Sequence, residues 1–402
     1  MRRRRLIDVV ATAALFACGP TATVPAPQSP SQLAVGQILG AGETTGFERA
    51  TAPRAFEFPR DHGPHPGFRS EWWYFTGNLR ARQRRFGYQM TIFRQALTPP
   101  DAVPGRVSAW ASRQVYMGHL AITDVDGRRF VATERLAREG LGLAGAAHGP
   151  LRIWVEGWQM IGAEGGDGGP FSMTLRARSG GEPVAEREAE LALDLVVQAR
   201  RGPVVQGDAG RSAKGPEPGN ASYYYSITRM PTAGTLTIAG TRFDVTGESW
   251  FDREWSTSAL GPDLAGWDWL ALHLSDGRDL MVYRLRRKDG GAAAESRATV
   301  IDSTGRTRVM GPDAFSIETR SRWHSPHTGA RYPTRLGIQV PSEGLSVEVA
   351  PLLDDQELRL SVHYWEGAVD VGGQARGQPI SGSGYLELTG YETQAKREAG
   401  AR

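Results

Sequence analysis

The reactive side chains of this 402-residue chain are densest between Gly247 and Trp269, around Trp250-Phe251-Asp252-Arg253-Glu254-Trp255. On an extended strand Trp250, Asp252 and Glu254 project to one side, and Phe251, Arg253 and Trp255 to the other. A carboxyl held among indole rings loses solvation of its charged form, so its pKa rises and it can donate a proton near neutrality. Hydrating an isolated alkene needs such an acid, a positioned water and a face that stabilises a carbocation, which a tryptophan ring supplies. Asp252 is the acid expected here, with Trp250, Trp255 and the Tyr224 hydroxyl around it. A second reading of the same residues is structural: Arg253 pairs with Asp252 or Glu254, and the tryptophans pack a junction.

Other candidates lie on strand-like segments. In Glu71-Trp72-Trp73-Tyr74-Phe75, Glu71, Trp73 and Phe75 share one side, and Trp72 and Tyr74 the other. Glu71 either lines a cavity beside Trp73 or pairs with Arg69 or Arg94. His119, between Gly118 and Leu120, is a general base, a metal ligand or a hydrogen-bonded core histidine. Trp267 and Trp269 complete the expected ligand-binding set. The pairs His62-x-x-His65 and His324-x-x-His327 straddle Pro-containing loops without an evident third ligand, so no metal is expected. No cofactor fingerprint, phosphate loop or G-x-S-x-G nucleophile elbow is present.

The elements that position these residues read as β-structure. Residues 71–79 and 86–94 form a hairpin pattern, followed by short strand-like runs separated by turns, and the 50 glycines and 25 prolines suit that architecture. The pattern is duplicated. Trp72–Leu79 recurs as Trp267–Leu274, and Val245–Asp252 recurs as Ile380–Glu387. Gly234-x5-Gly240 also echoes Gly367-x5-Gly373. The expectation is an all-β protein of two tandem lipocalin-like β-barrels, residues 55–258 and 259–395, with the Trp-rich stretch as the seam between them.

The N-terminus reads as an address. Arg2–Arg5 precede the apolar run Leu6–Ala17, and Cys18, the only cysteine, falls where a lipobox places its acylated residue. Residues 1–18 are expected to be a signal peptide with lipobox and 19–54 a flexible tether, giving a periplasmic protein anchored to the outer membrane through Cys18. The formal net charge of +3 is accounted for by residues 1–18, so no basic field points to nucleic acid.

E-W-W-Y-F-T-G-N-L after His65-Pro66-x-x-Arg69, with G-Y-Q-M-T-I-F-R, M-G-H-L-A-I-T-D, Y-Y-Y-S-I-T-R and W-F-D-R-E-W, resembles the CrtC/AttH-like family. That resemblance covers Asp61 to Tyr391. It implies a secreted or lipid-anchored bacterial protein of two lipocalin-like barrels, in a group named for carotenoid 1,2-hydratase and often labelled predicted secreted hydrolase. The hydratases of the group carry a catalytic His, Trp, Tyr and Asp set. Trp250 and Asp252 match it, whereas Arg253 stands where a histidine often follows the aspartate. Relatives also occur beside ABC transporters.

Three functions follow as expectations. The first is binding or carrying a hydrophobic isoprenoid, carotenoid or lipid inside an aromatic-lined barrel of the bacterial envelope. The second is a hydratase or hydrolase using Asp252 as proton donor. The third is an accessory lipoprotein of an envelope ABC transporter.

Overall fold

The computed structural model describes residues 44–102, 112–163, 171–180, 191–258 and 260–392. Cys18 and residues 19–43 of the expected tether lie outside these residues, as do residues 164–170. The described chain is all-β, with helical structure confined to short turns, and it forms two antiparallel sheets within one compact unit. The first sheet has 13 strands, from Ser70–Ala81 to Thr241–Ser256, and the second has 10, from Leu264–Leu274 to Gln378–Leu388.

Each sheet brings its first and last strands together. Ser70–Ala81 lies between its hairpin partner Arg84–Ala96 and the closing strand Thr241–Ser256. In the second sheet Leu264–Leu274 lies between Asp279–Arg287 and Gln378–Leu388. Pairing the ends of a unit in this way is what curling a sheet on itself requires. The edge strands of the first sheet are Arg129–Arg138 and Ala144–Ala147; Arg129–Arg138 approaches Arg152–Val155, next to the other edge, without a hydrogen-bonded ladder, leaving a nearly closed barrel.

The register carries the duplication residue by residue. Leu79 faces Gly247 and Tyr74 faces Asp252; in the second sheet Leu274 faces Gly382 and Trp269 faces Glu387. Asp252 and Glu387 therefore occupy equivalent positions. The glycine echo is corrected: Gly234 faces Val245, and the residue facing its equivalent Ile380 is Gly373, not Gly367.

The barrel interiors are packed. Trp73, Phe75, Trp158, Leu175, Ile227, Phe251 and Trp255 fill the first, and Leu272, Ile338, Val347, Trp365 and Leu386 lie in the core of the second. An aromatic-lined ligand cavity inside the first barrel is thus replaced by an ordinary hydrophobic core. The two sheets then pack back to back, so their facing strands are buried on both faces. Gly87 permits this approach, because a Cβ there would sit 2.5 Å from the Ala368 Cβ. Cross-links between the sheets include Tyr74 OH to Glu366 Oε1 at 2.6 Å, Thr123 Oγ1 to Gln356 Oε1 at 2.6 Å and Arg229 Nε to Asp279 Oδ1 at 2.8 Å.

At one end of the first barrel, Glu71 is buried between two guanidiniums. Arg94 bonds Oε1 and Arg253 bonds Oε2, while the His65 backbone N–H donates to Oε2 at 3.0 Å. Arg253 also lies 3.9 Å from the centre of the Trp73 ring. Burial alone would raise the Glu71 pKa, but the two arginines overcome it and hold the group well below its usual range. Removing one member of such a set strands the remaining charges in a dry interior. Glu71→Gln is expected to destabilise the fold by about 3–5 kcal/mol in denaturant unfolding; a loss below about 1 kcal/mol, the scale of exposed pairs, would contradict this role.

Candidate functional site

A cavity of about 110 Å³, partly open to solvent, lies between the sheets. Strand alternation sends Trp72 and Tyr74, and on the neighbouring strands Tyr224, Asp252 and Glu254, outward from the first barrel to form one wall. Trp267, Trp269, Tyr364, Glu366 and Glu387 from the second sheet form the other. The same alternation puts Glu71, Trp73 and Trp255 on the opposite face. They are corrected from ligand-binding positions to core positions: Glu71 in its arginine pair, Trp73 in the barrel core, and Trp255 stacked on His65 with ring centres 3.7 Å apart.

Asp252 is buried and forms no ion pair among the described residues. Ser226 Oγ and Trp250 Nε1 donate to Oδ1 at 2.5 and 2.8 Å, and Tyr224 OH donates to Oδ2 at 2.9 Å. Trp250 thus positions the carboxyl, whereas Tyr224 is itself held by Trp269 Nε1 at 3.1 Å. Burial pushes the Asp252 pKa up to about 7, against the lowering effect of these three donors. The expected pairing of Arg253 with Asp252 or Glu254 is not formed, because Arg253 projects into the barrel to Glu71. Glu254 instead meets Lys214 at 2.8 Å and accepts from Ser222 Oγ.

The sequence reading missed Glu366, Glu387 and Lys214. Glu366 and Glu387 are direct cross-strand partners, and Trp269 faces Glu387 from the other side. Carboxylates so placed repel one another, and a proton relieves the repulsion. Burial pushes Glu387 up to about 8, opposed by the Trp267 Nε1 bond of 2.9 Å and reinforced by the charges of Asp252 and Glu254. Burial and then the Glu387 charge raise Glu366 well above the carboxylate range, against the opposing hydrogen bond of Tyr74. Its Oε2 is buried without a hydrogen-bond partner. The signal available in the sequence was the equivalence of Asp252 and Glu387, which marks a second carboxyl at the seam.

His119 is buried on the same side of the first sheet but behind Tyr364, with Nδ1 2.8 Å from the Tyr364 hydroxyl. Trp267 and Trp269 line the cavity as expected. Of the histidine pairs, His62 bonds Tyr225 OH at 2.7 Å and His65 bonds Asp61 at 3.1 Å.

Comparison with known proteins places this architecture. The AttH-like family matches residues 49–391. The chain belongs to the AttH-like family. A crystal structure from Nitrosomonas europaea assigned to AttH is 33% identical, with a TM-score of 0.71, covering 85% of this chain and 99% of that one. Kievitone hydratase from Nectria haematococca shares the fold at 16% identity and a TM-score of 0.62, covering 88% and 98%. No match was found among curated proteins.

The AttH-like chain therefore holds three carboxyls with raised pKa against aromatic walls. Between about pH 4 and 8 the folded protein binds more protons at Asp252 and Glu387 than the unfolded chain does, so stability falls as pH rises through that window. Asp61 and Glu71, with lowered values, act in the opposite sense and only below about pH 4. Unfolding measured across this range should show a shallower decline for Asp252→Asn than for wild type, by on the order of 2–4 kcal/mol between about pH 4 and 8. Parallel curves would contradict the raised Asp252 pKa.

Proposed function

We propose that this protein is an acid–base enzyme that adds water to, or removes it from, an isolated carbon–carbon double bond of a hydrophobic ligand of isoprenoid or lipid type. The observation that carries the reading is the placement of Asp252, Glu366 and Glu387 in one aromatic-walled cavity, where Lys214 is the one lining cation among the described residues and is engaged by Glu254. A site that only bound an apolar ligand would gain nothing from three carboxyls, each costly to bury.

Two carboxyls whose environments separate their pKa values divide the work of acid and base. Glu366, held above the carboxylate range, keeps its proton at neutral pH, and Oε2 is the oxygen free to present it. Donation breaks that O–H bond, forms a C–H bond at one alkene carbon and leaves a cation at the other. The rings of Trp72 and Trp269 offer π-faces to that cation. Asp252, near 7 and supported in its ionised form by three donors, then accepts a proton from water as the water oxygen bonds to the cation. This reverses the part expected of Asp252, whose three hydrogen bonds all favour the carboxylate.

The shared fold with a protein named kievitone hydratase agrees with the reading as analogy. A membrane anchor at Cys18 would suit such a ligand by holding the enzyme where apolar molecules partition. Ligand retained through purification and identified by mass spectrometry supplies the substrate for a direct assay. Glu366→Gln and Asp252→Asn should each lower its turnover by at least about 100-fold while ligand affinity stays within a few-fold of wild type. Recovery of the ligand unchanged from the wild-type protein would instead favour a carrier.

A further inference from the structure

Where arginines of the first β-unit reach the second, they meet carboxylates: Arg85 pairs with Asp370, and Arg201 and Arg229 pair with Asp279. A cleft of about 590 Å³ at another part of the same junction departs from that pattern. It is open to solvent and shares no lining residue with the carboxyl cavity.

Arg128 and Arg129 enter this cleft from the turn after Gln114–Asp124, and Arg335 enters it from Arg331–Val340. The carboxylates around them are committed elsewhere. Asp124 holds Arg84 at 3.0 Å, and Asp126 accepts from the Arg85 backbone N–H at 2.8 Å. Glu318 and Glu348, on the strands flanking that of Arg335, lie 2.8 and 3.5 Å from Arg320. A fourth lining arginine, Arg359, is neutralised by Asp355 at 3.2 Å. Arg128, Arg129 and Arg335 form no ion pair among the described residues. Asp354, the remaining acid in the lining, forms none either. Three cations against one anion leave the cleft with a net charge of +2.

The surface between these charges is apolar. Phe130 and Leu352 pack on the hydrophobic clusters between the sheets, and Trp323 packs on the core of the second sheet. Guanidiniums gathered without counter-charge repel one another, and a bound anion relieves that repulsion. We propose that this cleft is a second ligand site, which binds a phosphate monoester carried on an apolar tail.

Charge selects the headgroup. A phosphate monoester carries about −1.5 to −2 near neutral pH, which matches the cleft, whereas a carboxylate or a sulfate ester carries a single charge. The guanidinium fork also fits two phosphate oxygens at once. Phe130, Trp323 and Leu352 give the tail its apolar contact, so a free phosphate uses only half of the site.

The full chain is titrated calorimetrically at low salt with octyl phosphate below its micelle concentration, octyl sulfate and inorganic phosphate. Octyl phosphate should bind at least about tenfold tighter than inorganic phosphate, since each buried methylene adds to affinity, and tighter than octyl sulfate. The double variant Arg128→Gln/Arg335→Gln should weaken octyl phosphate at least about tenfold. Both arginines are exposed, so their replacement spares the core. Asp354→Asn should tighten binding, a sign that general damage to the fold does not produce. Trp323→Leu should weaken octyl phosphate while leaving inorganic phosphate unchanged. Equal affinity for octyl and inorganic phosphate overturns the proposal in favour of a soluble phosphate. Octyl sulfate binding as tightly as octyl phosphate overturns the assignment of the headgroup. Arginine variants that bind octyl phosphate like wild type overturn the site itself. None of these readouts uses turnover, so the result stands or falls independently of hydration at the carboxyl cavity.

Discussion

The strands at the seam are buried on both faces, and the rest of the molecule is arranged around that constraint. A barrel strand ordinarily presents one face to its core and the other to water. Here the outer faces of the opening and closing strands of each sheet meet one another, leaving little solvent to complete the hydrogen bonds of polar side chains. Every polar group placed there must be satisfied from within. Aromatic residues with a polar atom, such as Trp250, Trp267, Trp269, Tyr74 and Tyr224, meet this requirement by filling space and donating one hydrogen bond each.

The chain treats its buried charges differently on the two faces of one strand. Toward the barrel interior, Arg253 meets Glu71, which also meets Arg94, and the set is held by backbone groups at the barrel end. Toward the cavity, one residue earlier, Asp252 has hydroxyl and indole donors but forms no ion pair among the described residues. The inner set locks the fold with ionised groups. The outer set keeps carboxyls close to neutral, a state in which they exchange protons. A strand only 16 residues long thus carries a structural ion pair and a reactive acid on opposite sides.

The β-architecture was legible from strand-length aromatic runs, and the duplication from the recurrence of Trp72–Leu79 and Val245–Asp252, which the register reproduces. Alternation also sorted Trp250, Asp252 and Glu254 from Phe251, Arg253 and Trp255 correctly. It could not tell which set faced a core and which a cavity, because both faces are buried and both are rich in aromatics. Glu71, Trp73 and Trp255 were therefore assigned to ligand although they build the barrel core. Glu366 was invisible for a further reason: His363-Tyr364-Trp365-Glu366 reads as an ordinary edge pattern until the cross-strand pairing sets Glu366 against Glu387. The Gly234 echo failed because glycine spacing recurs readily in hairpins, and because the second hairpin is shorter: Gly234 and Val245 are 11 positions apart, and Gly373 and Ile380 are 7.

The central claim is that the space between the sheets holds carboxyls kept neutral by burial, one of which presents a proton to the cavity. Neutron diffraction from crystals grown in heavy water at neutral pH tests it by locating deuterons directly. The account predicts a deuteron on the carboxyl of Glu366, most occupancy of one on Glu387, and the tyrosine and indole donors directed at Asp252. Bare carboxylates at both glutamates, neutralised by bound cations, would contradict it.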